Sequence, residues 1–268
     1  ISLYDTEEFT ITPNPRNEIL VNNLGPDFRK HAPMVASDQI NIGASNETGA
    51  FAIYNTLRSV LPTLMGLSAA SPIKNRVMTG RVCHRLDAYD AAITKFGHLT
   101  GIPDEMHSLE EYAQAVEDLP VLQHPNMFYK YMRPMPHRGV AAEIRAFDKQ
   151  PTIEEYMGLV ALTKAIVLAP EHFREDTTDP DKVENDFLLA RYHGTPSHPK
   201  AMEMVDLAKT ILPRDEIDFL TVLERSSRQQ NPAKRMQVME SGKGISYLYN
   251  EMIDDLYRET FRIHGPGF

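Results

Sequence analysis

An α+β fold is what this sequence predicts, and three observations carry that expectation. Two stretches, 38–43 and 140–148, alternate polar and apolar residues at the period of a strand. Others carry capping boxes or apolar residues at three- and four-residue steps, the marks of amphipathic helices. From Asp181 onward the pattern is helix after helix with no strand signal. The chain has 268 residues, 42% apolar and 24% charged, so composition is globular and length is ample for a core.

Residues 1–34 read as an irregular lead-in, because Pro13, Pro15, Asn22-Asn23 and Gly25-Pro26 are turn signals. In the run Asp38-Gln39-Ile40-Asn41-Ile42-Gly43, Gln39 and Asn41 share one face and Ile40 and Ile42 the other. Ser45 or Asn46 then caps a helix on which Phe51, Tyr54, Leu57, Arg58 and Leu61 recur at helical steps. Pro62 either kinks that helix or starts a second turn, and Ala69-Ala70-Ser71-Pro72 marks the stop. Residues 78–90 show no clear period. Ser108-Leu109-Glu110-Glu111 is a capping box for a helix reaching about Asp118.

Prolines punctuate 120–138, with a strand expected over 127–132. Over 140–148, Glu143, Arg145 and Phe147 share a face against Ile144 and Ala146. Thr152 and Glu155 form the capping box of a helix to about Ala169, apolar nearly all round and so expected to be buried. Helices follow at roughly 181–191, 199–211, 214–228 and 246–261, with Gly242 and Gly244 breaking between the last two. One domain is expected over 1–268: the lead-in, a sheet and motif core over 35–170, and a mostly helical part over 171–268, with 177–181 as the hinge-like spot.

Lys and Arg number 28 against 37 Asp and Glu, a net charge of −9. That balance argues against a duplex-binding surface, which needs clustered cations, and leaves room for a small basic pocket. A lone Cys83 excludes an internal disulfide and a cysteine zinc site, and suits a reduced, cytoplasmic setting. No apolar run approaches the roughly 20 residues of a membrane span, so no membrane partner is expected. The chain begins at Ile1 and meets Asp5, Glu7 and Glu8 at once, which does not read as a secretory leader.

The chemistry concentrates on two strand faces. Gln39 and Asn41 lie on one, Glu143 and Arg145 on the other. Four polar groups on alternate positions of sheet strands suggest a polar cleft, because burying a charge is costly unless it is paired or used. A carboxylate and an amide oxygen suit magnesium, and a guanidinium two residues along suits a phosphate. The alternative is a Glu143–Arg145 or Glu143–Lys ion pair on a solvated face. None of the ten histidines makes a metal-ligand spacing, Cys83 reads as a packed thiol, and Gly242-Lys243-Gly244 reads as a loop rather than a phosphate loop. Lys234-Arg235 reads as a solvated charge pair.

Several motifs in a fixed order resemble the glutamate–cysteine ligase superfamily, in particular its archaeal and bacterial carboxylate–amine ligase branch. They are Gln39-Ile40-Asn41-Ile42-Gly43, Tyr54-Asn55-Thr56-Leu57-Arg58, Leu67-Ser68-Ala69-Ala70-Ser71-Pro72 and Gly80-Arg81-Val82-Cys83-His84-Arg85. Two more follow: Met132-Arg133-Pro134, and Ala142-Glu143-Ile144-Arg145-Ala146-Phe147-Asp148-Lys149-Gln150-Pro151-Thr152. The match covers roughly residues 35–170.

The resemblance implies an antiparallel sheet curved into a funnel and backed by helices, related to glutamine synthetase. It implies an ATP- and magnesium-dependent ligase that activates the glutamate side-chain carboxylate as an acyl phosphate for attack by an amine such as cysteine. Carried over, Glu143 and Gln39 are metal ligands, Asn41 and Arg133 line the nucleotide site, Arg145 stabilises the transferring phosphate, and Arg85 holds a substrate carboxylate or phosphate. Partners are small molecules, with a homodimer allowed by the family's habits.

The sequence departs from the family in three ways, one being that it shows no cysteine-selecting feature, which leaves the amine acceptor open. Cys83 stands where a Ser is usual, and no Glu-rich N-terminal strand is present, so two or more magnesium ions would lack carboxylates. The acids then come from about a hundred further N-terminal residues (by element order) or from a partner; alternatively the chain is a non-catalytic ligase-fold subunit or binding module.

Overall fold

A computed structural model describes residues 10–119, 128–195 and 197–264. At its centre is a three-stranded antiparallel sheet. β1 (Ile40–Gly43) and β4 (Met132–Met135) flank β5 (Val140–Ile144) in the order β1-β5-β4. The alternation read from sequence holds: Ile40 and Ile42 are buried, and Gln39 and Asn41 are exposed on the opposite face. β5 stops at Ile144, short of the expected 140–148, though Asp148 still bridges to Ser37. The strand expected at 127–132 lies instead at 132–135, and residue 127 falls outside the described residues. Pro134 sits inside this strand, which among the described residues pairs with β5 alone, so its missing N–H falls on an edge strand.

The sheet rests on α3 (Glu47–Ser68), capped by the Asn46 side chain, which accepts from Gly49 N at 2.8 Å. Pro62 lies within this one helix and neither ends it nor starts another. Leu57, Leu61 and Leu64 around it are fully buried, and that packing offsets the lost backbone bond. Gly66 lets α3 meet the 194–195 turn, because a Cβ there would lie 2.3 Å from the Thr195 nitrogen. After α3 come a hairpin, β2 (Ile73–Lys74) and β3 (Val77–Met78), turned by Asn75 and Arg76 at positive φ. α4 (Arg85–Ala91) and α5 (Leu109–Glu117) follow, the latter on the Ser108 cap.

α6 (Ile153–Leu168) starts where the Thr152 hydroxyl accepts from Glu155 N and is buried along most of its length. The helical part continues with α7 (Pro170–Phe173), α8 (Pro180–His193), α9 (His198–Ile211), α10 (Arg214–Ile217) and α11 (Thr221–Arg225). α12 (Pro232–Lys243) and α13 (Ile245–His264) complete it. The expected helix over 214–228 is an unbroken run of four short helical segments over 214–230, two α, one 3-10 and one π, and α12 was not expected at all. Asn231 caps α12 with Pro232 at its first position, and Gly244 (φ 83°), not Gly242, breaks it from α13. Arg235 of α12 pairs with Glu155 rather than standing solvated.

Most of 15–34 is also helical, which corrects the irregular reading there, while 1–9 lie outside the described residues. Asn14 caps α1 (Pro15–Leu24), accepting from Asn17 N at 2.9 Å, with Pro15 in the first turn. Gly25 (φ 87°) separates it from α2 (Pro26–His31). The prolines and glycine read as turn signals are helix starts and a stop. Leu20, Leu24 and Phe28 anchor both helices in the same core as α3. Among the described residues no helix is long and apolar enough to cross a membrane.

Candidate functional site

The strand register brings the predicted residues into one row. Asn41 pairs with Glu143 across β1–β5, and Arg133 pairs with Glu143 across β4–β5. Directly paired residues point to the same face, so an amide, a carboxylate and a guanidinium stand side by side. Glu143 is 6% exposed and Arg133 also 6%, so this is a buried cluster, not a solvated ion pair. The Glu143 carboxylate accepts from Arg133 Nε and, at 3.2 Å, from Arg145 Nη1. Arg133 also donates to the Phe128 carbonyl. Burial and the neighbouring Arg145 lower the Arg133 pKa, against the pull of Glu143.

Arg145 follows β5 directly and leans over two aromatic rings. Its guanidinium carbon lies 5.9 Å from the ring centres of both Tyr89 and Tyr129. Burial works against its charge, but Tyr89 and Glu143 more than offset this and its pKa rises. Among the described residues its Nε is buried with no hydrogen-bond partner, and so are the Tyr89 and Tyr129 hydroxyls. Burial raises the Tyr129 pKa, so the phenol stays protonated and able to donate.

Arg85 is held differently. It opens α4 at 1% exposure, and its Nε donates to Asp148 Oδ1 at 2.7 Å. Its Nη2 donates to the carbonyl of Ala146 at 2.7 Å. Asp148 in turn accepts from Ala70 N and Ser71 Oγ, with the Cys83 thiol 3.5 Å away. Burial holds the Cys83 thiol well above its usual pKa, in keeping with a packed thiol. Ser71, Cys83 and Asp148, all from the motif runs, thus lock one arginine in place.

A cleft of about 240 Å³ opens beside this cluster. Gln39, Arg85 and Arg145 line it from the sheet side, Tyr89 and Tyr129 flank it, and Arg16 reaches it from α1. Glu143 is joined to the cleft through Arg145, and Arg133 through Glu143, while Asn41 beside them on β1 is exposed. Behind Tyr89, Arg191 of α8 clamps α4: its Nη2 meets Asp87 at 2.6 Å and its Nη1 meets Asp90 at 3.0 Å. Burial alone would raise the Asp87 pKa, but His84, Arg191 and Arg81 bring it down to about 2.

Among the described residues no three His, Cys, Asp or Glu side chains cluster as a metal site. Glu143 is engaged by two guanidiniums, so these residues do not by themselves assemble the oxygen-rich shell that magnesium takes.

The sequence pattern of glutamate-cysteine ligase family 2 (GCS2) matches residues 3–248. The chain belongs to this family. Among curated relatives, two proteins named "Putative glutamate--cysteine ligase 2" are informative. That of Ruegeria pomeroyi is 27% identical over 58% of this chain and 39% of its own length. That of Solibacter usitatus is 26% identical over 97% of this chain and 72% of its own length. The chain thus spans about two fifths of the first relative's length. A crystal structure of glutamate–cysteine ligase from Francisella tularensis, in complex with AMP, shares the fold with a TM-score of 0.57 at 12% identity. That likeness covers 82% of this chain and 59% of the other. The expected family and the α+β class, a helix-backed antiparallel sheet, both stand; the sheet described here has three strands.

Sequence reasoning missed Tyr89, Tyr129 and Arg16. Tyr89 lies in the stretch without a clear period, and Tyr129 in the proline-rich stretch. Arg16 had a usable signal: Asn14-Pro15 is a cap followed by a first-turn proline, which would have placed Arg16 on a helix.

Proposed function

We propose that this chain carries the acyl-donor face of an ATP-dependent carboxylate–amine ligase. The observation that carries the reading is Arg145, held by Glu143 and lining the cleft together with Gln39 and Arg16. In such a reaction a donor carboxylate oxygen attacks the γ-phosphorus of ATP and ADP leaves. An amine then attacks the acyl carbon and phosphate leaves. A fixed guanidinium at the point where negative charge accumulates supplies the positioning and electrostatic work this transfer needs. Glu143 and Arg133 keep Arg145 oriented; Gln39 and Asn41 offer amides along the same floor.

Family membership supports ligation of a carboxylate to an amine, and the AMP bound by the Francisella ligase supports a nucleotide. Glutamate is the donor this reading favours, with the acceptor amine open. A magnesium-held triphosphate would need more oxygen donors than Glu143, Gln39 and Asn41 supply, and no step here runs through the metal. Arg85 enters as a positioning residue: it holds the Arg145–Ala146 backbone through carbonyl contacts. The buried thiol supports a reducing, cytoplasmic setting.

The test is ADP release from ATP with glutamate and a panel of amines. Release that requires both carboxylate and amine is expected, with Arg145→Lys lowering kcat by tenfold or more, because lysine keeps the charge but loses the fork. No carboxylate-dependent release would leave the chain as a binding module of the same fold, and full activity in Arg145→Lys would remove Arg145 from the reaction.

A further inference from the structure

Both walls of the cleft are tied together from behind by one side chain that does not line it. Arg85, Tyr89, Ala92 and Ile93 face the cleft from α4 and the residues just after it. Asp87 and Asp90, three residues apart, lie on another face of that helix. Arg191 of α8 reaches both: its Nη2 donates to Asp87 Oδ1 at 2.6 Å and its Nη1 meets Asp90 Oδ2 at 3.0 Å. The same Nη1 donates to the Tyr131 hydroxyl at 3.1 Å, and that hydroxyl donates to Asp90 at 2.8 Å. Tyr131 belongs to the opposite wall, two residues after Tyr129, and its carbonyl accepts from Arg145 N at 2.9 Å. The Tyr131 ring lies 6.4 Å from that of Tyr89, and the Tyr89 and Tyr129 rings lie 6.5 Å apart. The Arg145 guanidinium sits 5.9 Å from each of the latter two. Asp87 and Asp90 meet two guanidiniums, Arg191 and Arg81, so Arg191 has no charge to spare and bears on the cleft through the groups it holds.

We propose that Arg191 is a positioning residue: it locks α4 to Tyr131 and so fixes the gap between Tyr89 and Tyr129 in which Arg145 sits. The proposal rests on the ligase reading for what Arg145 then does. The task calls for a guanidinium, because its planar fork meets two carboxylates and a hydroxyl at once in fixed directions. A lysine at 191 keeps the charge but loses the fork. α4 is then free to shift against Tyr131, Tyr89 moves relative to Tyr129, and Arg145 loses its set direction. A misplacement of about 1 Å can cost a reaction about 100-fold in rate, so a clamp remote from the chemistry still has leverage on it.

A double-mutant cycle of Arg191→Lys and Arg145→Lys in the full chain tests this, read by near-ultraviolet circular dichroism and by ADP release from ATP with glutamate and an amine. The chain has 11 Tyr and no Trp, so its near-ultraviolet band reports the tyrosines. Arg191→Lys is expected to weaken that band while the far-ultraviolet spectrum stays as in wild type. Its kcat per folded molecule falls about tenfold while KM for glutamate and for ATP stays within about threefold, because the misplaced group acts in the transfer. In the Arg145→Lys background, Arg191→Lys lowers kcat by less than about twofold more, since the group it positions is already gone. If Arg191→Lys does not fold, Asp90→Asn, which loosens the same clamp and keeps an oxygen acceptor, is read in the same way. An unchanged tyrosine band overturns the proposal, as does an unchanged kcat per folded molecule or losses that multiply across the two sites. A wild-type chain without ADP release removes the ligase reading instead, and the tyrosine band alone then decides whether Arg191 sets the gap.

Discussion

Arg85 and Arg145 are 60 residues apart in sequence, face the same cleft, and are held in opposite ways. Arg85 is sealed: Asp148, backbone carbonyls and Ser71 surround it, and it is 1% exposed. Among the described residues Arg145 shares its one carboxylate with Arg133, and its Nε has no hydrogen-bond partner. A buried arginine whose own carboxylate also ties two other groups is a structural pin, while one whose carboxylate is shared with a second guanidinium keeps positive charge for a ligand. The two look alike in sequence, each sitting in a family motif. The pattern of their carboxylates separates them.

The largest effect should come from breaking the sealed side. Asp148→Ala strands the Arg85 charge and also frees Ala70 N and Ser71 Oγ, so a loss of about 3–5 kcal/mol is expected. Urea unfolding measures it; a loss under about 1 kcal/mol would mean Arg85 is not pinned as described. The open side should respond less in stability and more in function. Glu143→Gln keeps an acceptor but leaves two neighbouring cations without a counter-charge, which costs about 1–3 kcal/mol. ADP release should fall to near background, and wild-type turnover in this variant would detach Glu143 from the site.

Arg191 extends the comparison to a third arginine, through pH. Asp87 sits at about 2 against an ordinary 3.8, so the folded protein binds that proton less readily than the unfolded chain. Its contribution is present above about pH 4 and lost as pH falls through 2. Asp87→Asn should therefore be less stable than wild type at pH 5, with the gap closing toward pH 2. A gap that stays constant over that range would remove Asp87 as the source. The smallest effect is expected at an exposed pair beside the sealed arginine. Lys149 meets Asp38 at 3.0 Å with its side chain 49% exposed, so Lys149→Ala should cost about 0–1 kcal/mol. A larger loss would show that position along the motif, rather than burial, decides what a charge is worth.

Much of the fold was legible because its signals are local. The caps at Asn46, Ser108 and Thr152 each need one oxygen three residues from one N–H, and all three formed. The alternation at 38–43 foretold which side of β1 is buried, since a strand's side chains can only alternate. The lead-in and α12 were misread for a related reason. Pro15, Pro26 and Pro232 break a chain in one context and start a helix in another, and Asn14 and Asn231 show which applies here.

For the site, the sequence by itself determined the polar residue types and the faces they occupy: Gln39 with Asn41, Glu143 with Arg145. Short-range periodicity and motif order carry that information in the chain. Only the tertiary structure decided which charges cancel. The register that sets Arg133 beside Glu143, and the fold-back that brings Asp148 to Arg85, join residues from different elements. So does the docking of α1 that delivers Arg16 to the cleft flanked by Tyr89 and Tyr129. Electrostatic pairing depends on distance in space and on burial, and neither is encoded by spacing along the chain.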